Sequence, residues 1–260
     1  MTPRRVLVVV CALIYFFLML PLLVVFPISL SSAPYMQFPP PGLSWQWYER
    51  YLDDPQWIDA TWRSLQVGSA TGVLALLLGV PLAFALVRGR FIGRLTIDRL
   101  TMAPIIVPTI IISVATYGLF ARLKLIGEWY GLVLAHTVLA LPFVVLVMSA
   151  GLRDFDRSLE QAAAGLGASR WHILTRITLP LLRPSLVTAG LLAFITSFDE
   201  VVVALFLSGA NMTLPKKMFD NILMEIDPTI ASVSVMQILL VSIVMVLIGR
   251  FGRGLSGSAR

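Results

Sequence analysis

The sequence contains six long apolar runs, each close to the ~20 residues that a helix needs to cross a bilayer. Five of the six lack Asp, Glu, Lys and Arg. The chain is 58% hydrophobic and 13% charged, whereas a soluble domain is about 45–50% apolar and about 25% charged. We therefore predict an all-α integral membrane protein with one transmembrane domain over residues 1–260. The predicted spans are residues 6–26, 64–87, 100–120, 129–152, 184–207 and 228–249.

The third span contains two prolines, Pro104 and Pro108, one helical turn apart. Proline removes a backbone donor and clashes with the preceding turn of a helix. The spacing therefore predicts a bend within this span.

Lysine and arginine positions indicate the orientation of the spans. If the N-terminus is cytoplasmic, inner segments hold fourteen of the 20 basic residues and outer segments hold six. Basic residues favour the cytoplasmic side of a membrane protein. We therefore expect both termini, and the segment between the fourth and fifth spans, to lie in the cytoplasm.

The sequence offers little support for catalysis, metal binding or nucleic-acid binding. None of the three lysines follows a glycine, so the phosphate-binding loop that ends in Gly-Lys-Ser/Thr is absent. A single cysteine and two histidines far apart in sequence cannot complete a zinc site. No run of Lys and Arg is longer than two. We expect no cofactor or metal in this chain, and no nucleic-acid partner.

One polar segment, Ser158–Pro184, lies between the fourth and fifth spans. It contains one acid, three arginines and a histidine, so we expect it to lie in water. Ser158 and Gln161 have the spacing of a capping box, which predicts the start of a helix. Gly167 can adopt the positive φ of a turn, and Ser169 is a suitable N-cap for a second short helix.

This segment resembles the cytoplasmic EAA loop of ATP-binding-cassette (ABC) importer permeases. The family pattern is Glu-Ala-Ala, three residues, Gly, nine residues, Ile, one residue and Leu-Pro, and this sequence keeps every spacing. The departure is Gln161 at the position of the family's glutamate, with a carboxylate, Glu160, one residue earlier. The residues to which the resemblance assigns ATPase coupling are Glu160, Gln161, Ala162, Ala163, Gly167, Ala168, Ile177, Leu179 and Pro180.

The resemblance implies the six-helix fold of a type I importer permease, with coupling helices in the cytoplasmic loop 153–183. It also implies four kinds of partner: two cytoplasmic ABC ATPase subunits, a second homologous permease subunit, an extracytoplasmic solute-binding protein and membrane lipid. The ATPase subunits would hold ATP and Mg²⁺. In this family ATP binding closes the ATPases and opens the pathway outward. The implied location is the bacterial cytoplasmic (inner) membrane.

Two adjacent acids, Asp199 and Glu200, lie inside the predicted fifth span. A helix places Asp199 about 22 Å from Pro184, in the outer half of a ~30 Å core. Acidic residues in a span are costly and usually face water or a partner. We expect a cation site near the outer mouth of the pathway; the alternative is an ion pair or a helix end.

The stretches Ser197–Gly209 and Thr213–Ile222 resemble the spermidine/putrescine branch of ABC importer permeases. This implies inward transport of a polyamine by alternating access. Close relatives carry other small solutes, so another small solute is the alternative. A second hypothesis is a secondary transporter driven by an ion gradient, with Asp199 or Glu200 as the ion site, but such a carrier would not need the coupling loop. An intramembrane enzyme is disfavoured because the sequence offers no nucleophile motif and no set of metal ligands.

Overall fold

The computed structural model describes residues 3–224 and 227–252. These residues are helical apart from loops and one isolated antiparallel bridge between Ser31 and Leu43. In chain order the helices are α1 (Pro3–Ser29), α2 (Gln46–Asp53), α3 (Pro55–Arg88), α4 (Arg94–Ile106), α5 (Thr109–Leu123), α6 (Trp129–Asp154), α7 (Ser158–Gly165), α8 (Arg170–Ile173), α9 (Leu179–Leu181), α10 (Arg183–Phe198), α11 (Val202–Leu207), α12 (Leu214–Met224) and α13 (Thr229–Gly252), with a π-helical turn, Leu174–Thr178, between α8 and α9.

Four helices of the described chain are long and apolar enough to cross a membrane: α1, α3, α6 and α13. Two bent pairs qualify as well. One joins α4 to α5 at 106°, and the other joins residues 170–181 to α10 at 68°. Counting each bent pair as one span gives six spans.

The predicted third span, residues 100–120, is not one straight helix. Helix α4 ends at Ile106 and α5 begins at Thr109. Pro108 cannot donate a backbone hydrogen bond, and the residue before it, Val107, is extended, with φ −77° and ψ 128°. The expected bend is confirmed at Pro108, while Pro104 lies within α4.

The predicted fifth span, residues 184–207, is interrupted and the prediction of one continuous helix is wrong. Helix α10 ends at Phe198 and α11 begins at Val202. The two acids lie in this break, where the carboxylate of Glu200 supplies the acceptor that starts a new helix, as described below.

The chain divides into two compact units. The first is drawn from Met1–Asp59 and Lys217–Ser242, and the second from Ala60–Lys216 and Ile243–Arg260. Helices α3, α12 and α13 contribute residues to both.

Trp47 organises the first unit. Its indole Nε1 donates to the carbonyl of Ser31 at 2.7 Å, and its own carbonyl accepts from the Ser232 hydroxyl at 3.2 Å. Arg50 pairs with Asp227 at 3.0 Å. These contacts join α2 to the loop after α1 and to the start of α13.

Small residues allow the helices of the second unit to pack closely. Ala75 and Ala83 of α3, Ala140 of α6, and Ala189 and Ala193 of α10 are fully buried in one core. Close packing of small residues is how transmembrane helices associate when hydrophobicity cannot drive them together.

A polar cluster lies within this packed region. The Nδ1 of His136 on α6 is 2.7 Å from the Ser197 hydroxyl on α10, which donates to Thr71 on α3 at 3.3 Å. All three side chains are buried. The cluster connects the three helices close to the break at Asp199.

Gly79 of α3 gives a packing prediction. A Cβ at this position would lie 2.6 Å from Cγ1 of Val144, whose β-branched side chain has little freedom to move. We expect Gly79→Ala to lower stability by about 1–3 kcal/mol, measured by thermal unfolding of the purified chain in detergent.

Gly118→Ala is the matched control, because a Cβ there has nothing within 4 Å and both glycines are helical. It should leave the melting temperature unchanged or raise it, since alanine favours a helix by about 1 kcal/mol. Equal melting temperatures for the two variants would contradict the packing described for α3 and α6.

Candidate functional site

The polar segment after α6 begins with a capped helix, α7. The carboxylate of Asp156 accepts from the backbone N–H of Ser158 at 2.9 Å, and this hydrogen bond, with a second one from the Ser158 side chain, holds the pKa of Asp156 below its ordinary value. The helix start predicted at Ser158 is confirmed, but the predicted capping box is wrong. Ser158 is the first helical residue, the N-cap is Arg157, and the N–H of Gln161 donates to the carbonyl of Arg157 at 3.1 Å.

The turn after α7 has the predicted glycine conformation. Gly167 has φ +85°, and its N–H donates to the carbonyl of Ala164 at 3.0 Å. The N–H of Ala168 donates to Ala163 at 3.0 Å, so the turn satisfies carbonyls at the end of the helix. A side chain at Gly167 would be strained by this conformation.

Ser169 is the N-cap of helix α8, as predicted, and its hydroxyl accepts from the N–H of His172 at 3.3 Å. The backbone then passes through the π-helical turn and α9 to α10. Among the residues predicted to contact the ATPase, Ile177, Leu179 and Pro180 lie in this connection and are half-buried. Their side chains are thus partly used in packing within the segment.

Glu160 anchors α7 to the end of a long apolar helix. Its carboxylate accepts two hydrogen bonds from Nη1 of Arg88, the last residue of α3, at 2.8 and 3.0 Å. It also accepts a hydrogen bond from the hydroxyl of Thr178 in the π-helical turn. The anchor formed by Arg88, Glu160 and Thr178 therefore joins three parts of the second unit.

The surroundings of Glu160 favour its ionised carboxylate. Partial burial raises the pKa of Glu160, but hydrogen bonds from Thr178 and Arg88 and the charges of Arg88 and Arg157 outweigh it, so the pKa lies below its ordinary value. The Arg88 guanidinium also lies 5.1 Å from the ring centre of Phe84 and 5.4 Å from that of Phe155. Such cation–π contacts hold the guanidinium in place.

Glu160 differs from the predicted coupling residues of α7 and the following turn, because its side chain is bonded within the chain. Both of its oxygens are used within the chain, whereas Gln161, Ala162 and Gly167 are exposed and Ala163 and Ala168 are half-buried. The predicted contact of Glu160 with the ATPase stays a prediction; in the structure its carboxylate holds α7 to the end of α3.

Sequence reasoning missed two kinds of residue here. Arg88 and Thr178 are far from Glu160 in sequence, and no spacing rule connects them. Leu166 and Trp171 are large and apolar, and their exposures are 90% and 70%. The sequence shows large apolar residues in this charged segment, but it does not show which of them are exposed.

A cleft of 410 Å³ opens beside α7. Its walls include Arg157, Gln161 and Ala164 from the region of α7, and Arg170 and Leu174 from the following turn. The surface of this segment therefore combines a cleft with two exposed apolar side chains, which is the character of a protein-binding surface.

The break between α10 and α11 places the two acids differently. Oε1 of Glu200 accepts from the N–H groups of Val202 at 2.8 Å and Val203 at 3.1 Å, which caps α11. Asp199 is the C-cap residue of α10 and its side chain is exposed, whereas Glu200 is half-buried. The pair therefore lies at helix ends, which is the alternative stated for these acids in the sequence analysis, and not within one continuous helix.

Replacing Glu160 tests the anchor. Glu160→Gln keeps the size of the side chain but removes the charge that faces Arg88, at an expected cost of about 1.5–3 kcal/mol. Amide hydrogen exchange across Ser158–Gly165 should accelerate at neutral pH. The control Asp154→Asn, at an exposed carboxylate, should leave this exchange unchanged.

The same anchor predicts a pH dependence. Because the folded-state pKa of Glu160 is lowered, the stabilisation is present above the ordinary value of 4.5 and is lost as the pH falls through the lowered pKa. Exchange as slow in Glu160→Gln as in the wild type would show that the anchor does not hold α7.

Comparisons with known proteins identify the family. Residues 75–257 match the model of the family described as "Binding-protein-dependent transport system inner membrane component". The chain is 33% identical over 200 residues to the spermidine/putrescine transport system permease protein PotC of Haemophilus influenzae, covering 76% of this chain and 78% of PotC. It is 34% identical over 211 residues to the putrescine transport system permease protein PotI of Escherichia coli, covering 78% of this chain and 75% of PotI.

Solved structures show the same fold. A chain in the crystal structure of a bacterial ABC transporter involved in the import of the acidic polysaccharide alginate superposes with a TM-score of 0.73 at 20% identity, covering 95% of each chain. The predicted all-α, type I importer permease fold is confirmed by this likeness and by the family match. The chain belongs to the binding-protein-dependent transport system inner membrane component family: it is a multi-pass permease subunit of an ABC importer, in which a separate subunit hydrolyses ATP, and is not itself an enzyme.

Proposed function

We propose that this permease moves a small cationic solute, a polyamine such as spermidine or putrescine, into the cell. The names of two relatives with more than 30% identity support the substrate class. The observation that carries the proposal in this chain is the exposed carboxylate of Asp199 at a break in an apolar helix.

The break creates a local environment that favours cations. Asp199 follows the last residue of the 16-residue helix α10, and the C-terminal end of a helix carries partial negative charge. Transporters use such interrupted helices near the middle of the membrane to bind ions and solutes. A polyamine must lose hydration as it enters the bundle, and the carboxylate and the helix end offset part of this cost.

The two acids have different roles in this proposal. Glu200 uses one oxygen to cap α11, so its replacement changes the geometry of the break. Asp199 is exposed and contributes its charge to the pathway. This assignment favours Asp199 over Glu200 as the residue that meets the solute.

Amide substitutions separate the two roles. In the assembled importer, Asp199→Asn should reduce spermidine uptake about tenfold or more, because it removes a charge-assisted interaction, while basal ATPase activity and assembly persist. Glu200→Gln keeps an oxygen acceptor for the cap and should lower uptake less. Uptake at the wild-type rate in Asp199→Asn would contradict a role for this charge.

Another small solute is the alternative within the same family. It is supported by the variety of solutes that importers with this fold carry, since a chain of an alginate importer has a similar structure at 20% identity. A solute without positive charge would be insensitive to Asp199→Asn, so the same measurement distinguishes the two.

The segment Gln161–Gly167 is the proposed dock for a cytoplasmic ATPase. The glutamine, the alanines and the glycine of the family pattern lie on or near its surface, and Leu166 is 90% exposed. An apolar side chain this exposed on a polar segment is suited to a hydrophobic pocket of a partner. The anchor at Glu160 would transmit the partner's movement to α3.

A charge inserted in this surface tests the dock. Ala163→Glu and Gly167→Glu should abolish solute-stimulated ATPase activity in the reconstituted importer while the chain still inserts, because each places a charge in the contact and the second also strains the turn. Gly165→Ala is the matched control, because a Cβ there has nothing within 4 Å. Normal stimulation in assembled Ala163→Glu and Gly167→Glu importers would exclude this surface as the dock.

The complete importer in this proposal contains two ATPase subunits that bind ATP and Mg²⁺, a second homologous permease and an extracytoplasmic solute-binding protein. This chain has one coupling segment and two such segments are needed for two ATPases. Membrane lipid surrounds the apolar helices. In this proposal the coupling residues contact the ATPase. The outer end of the pathway receives the solute from the binding protein.

The proposed orientation has both termini in the cytoplasm of a bacterial cell, with 1–260 as one permease domain and the six spans and the loop 153–183 placed accordingly. The bias of fourteen inner to six outer basic residues supports it. Two of the fourteen, Arg253 and Arg260, lie outside the described residues.

Reporter fusions test this orientation. Fusions after Arg50, Lys124 and Lys217 should report an outer location, because these residues lie in the outer segments. Fusions after Arg94 and Arg170 should report the cytoplasm. An outer location for Arg170 would separate the polar segment from any cytoplasmic ATPase.

A further inference from the structure

A second cleft lies on the second unit, apart from the proposed ATPase dock. It has a volume of 300 Å³ and lies between the beginning of α4 and the end of α6. Its polar wall consists of Arg94, Asp98, Ser149 and Arg153, and Leu86 from the last turn of α3 lies at its edge. The transport mechanism proposed above uses none of these side chains.

The cleft contains more positive than negative charge. Neither Arg94 nor Arg153 forms an ion pair with Asp98, or with another acid in the described part of the chain. Two guanidinium groups face one carboxylate, so the cleft has a net charge of about +1. A ligand with a single negative charge would neutralise it.

The surroundings distinguish a lipid from a free anion. Helices α3 and α6, which are long enough to cross a membrane, both end beside the cleft, at Arg88 and Asp154. Leu95, which lines the cleft, is 61% exposed, and Ile92, two residues before Arg94 in sequence, is 104% exposed. Apolar side chains beside a basic cleft do not help to bind a phosphate ion, but they would contact the acyl chains of a bound lipid.

We propose that this cleft binds the headgroup of an anionic phospholipid with one negative charge. Arg94 and Arg153 donate to the phosphate oxygens, and the hydroxyl of Ser149 adds a third donor. Asp98 accepts from a headgroup hydroxyl, which matches the glycerol of phosphatidylglycerol, while Ile92 and Leu95 contact the acyl chains. The proposed orientation places this site in the cytoplasmic leaflet, but the binding itself does not depend on it.

Lipid retention by the purified full chain tests the site. Native mass spectrometry in detergent, with equal amounts of phosphatidylglycerol and phosphatidylcholine added, should show preferential retention of one phosphatidylglycerol per chain. The variant Arg94→Gln/Arg153→Gln should weaken this retention about tenfold, because charge-assisted hydrogen bonds are lost. Both side chains are exposed, so the variant should fold.

The matched control is Arg90→Gln/Arg99→Gln, which removes the same total charge at exposed positions that flank Arg94 in sequence but lie outside the cleft. It should retain phosphatidylglycerol as the wild type does. Equal loss in both double variants would show a general charge effect and overturn the site. Equal retention of the two lipids by the wild type, or displacement of the lipid by millimolar inorganic phosphate, would overturn it as well. These measurements do not involve transport, so their failure is distinct from failure of the proposed function.

Discussion

The hydrogen-bonded ion pair between Arg88 and Glu160 is the contact on which the polar segment depends. Helix α7 has only 8 residues, and a helix of this length is not stable in water without tertiary contacts. The side chains of the pair are only 21% and 19% exposed, and Thr178 adds a further hydrogen bond. A partly buried pair of this kind resists displacement more than a surface salt bridge does. The pair therefore attaches α7 to the end of α3.

The break at Asp199 shows how the same chain can accommodate charge inside an apolar region. Proline forms the bend between α4 and α5, whereas a glutamate side chain starts α11 by accepting two backbone N–H groups. Glu200 satisfies the new helix start, and Asp199 lies exposed at the end of α10. The buried cluster of His136, Ser197 and Thr71 joins three helices just before this break. A fixed break next to a packed bundle can hold a carboxylate at a defined depth.

Local signals in the sequence predicted much of this structure. The apolar runs predicted the long helices, Gly167 predicted the turn, and Ser169 predicted the second short helix. The anchor could not be predicted, because Arg88 and Glu160 are 72 positions apart and only the tertiary fold brings them together. The interrupted fifth span was missed because hydropathy measures composition, whereas the break depends on one side chain that caps the backbone. The family pattern predicted which segment contacts the ATPase, and this stays a prediction; it gave no sign that the carboxylate of Glu160 is bonded within the chain.

ATP-driven uptake of labelled spermidine tests the central claim most directly. The full importer, with this permease, its partner permease, two ATPases and the binding protein, would be reconstituted in proteoliposomes containing ATP. The account predicts accumulation of spermidine that requires ATP and the binding protein and that excess putrescine inhibits. ATP-dependent accumulation of a neutral or anionic solute, without uptake of either polyamine, would contradict it.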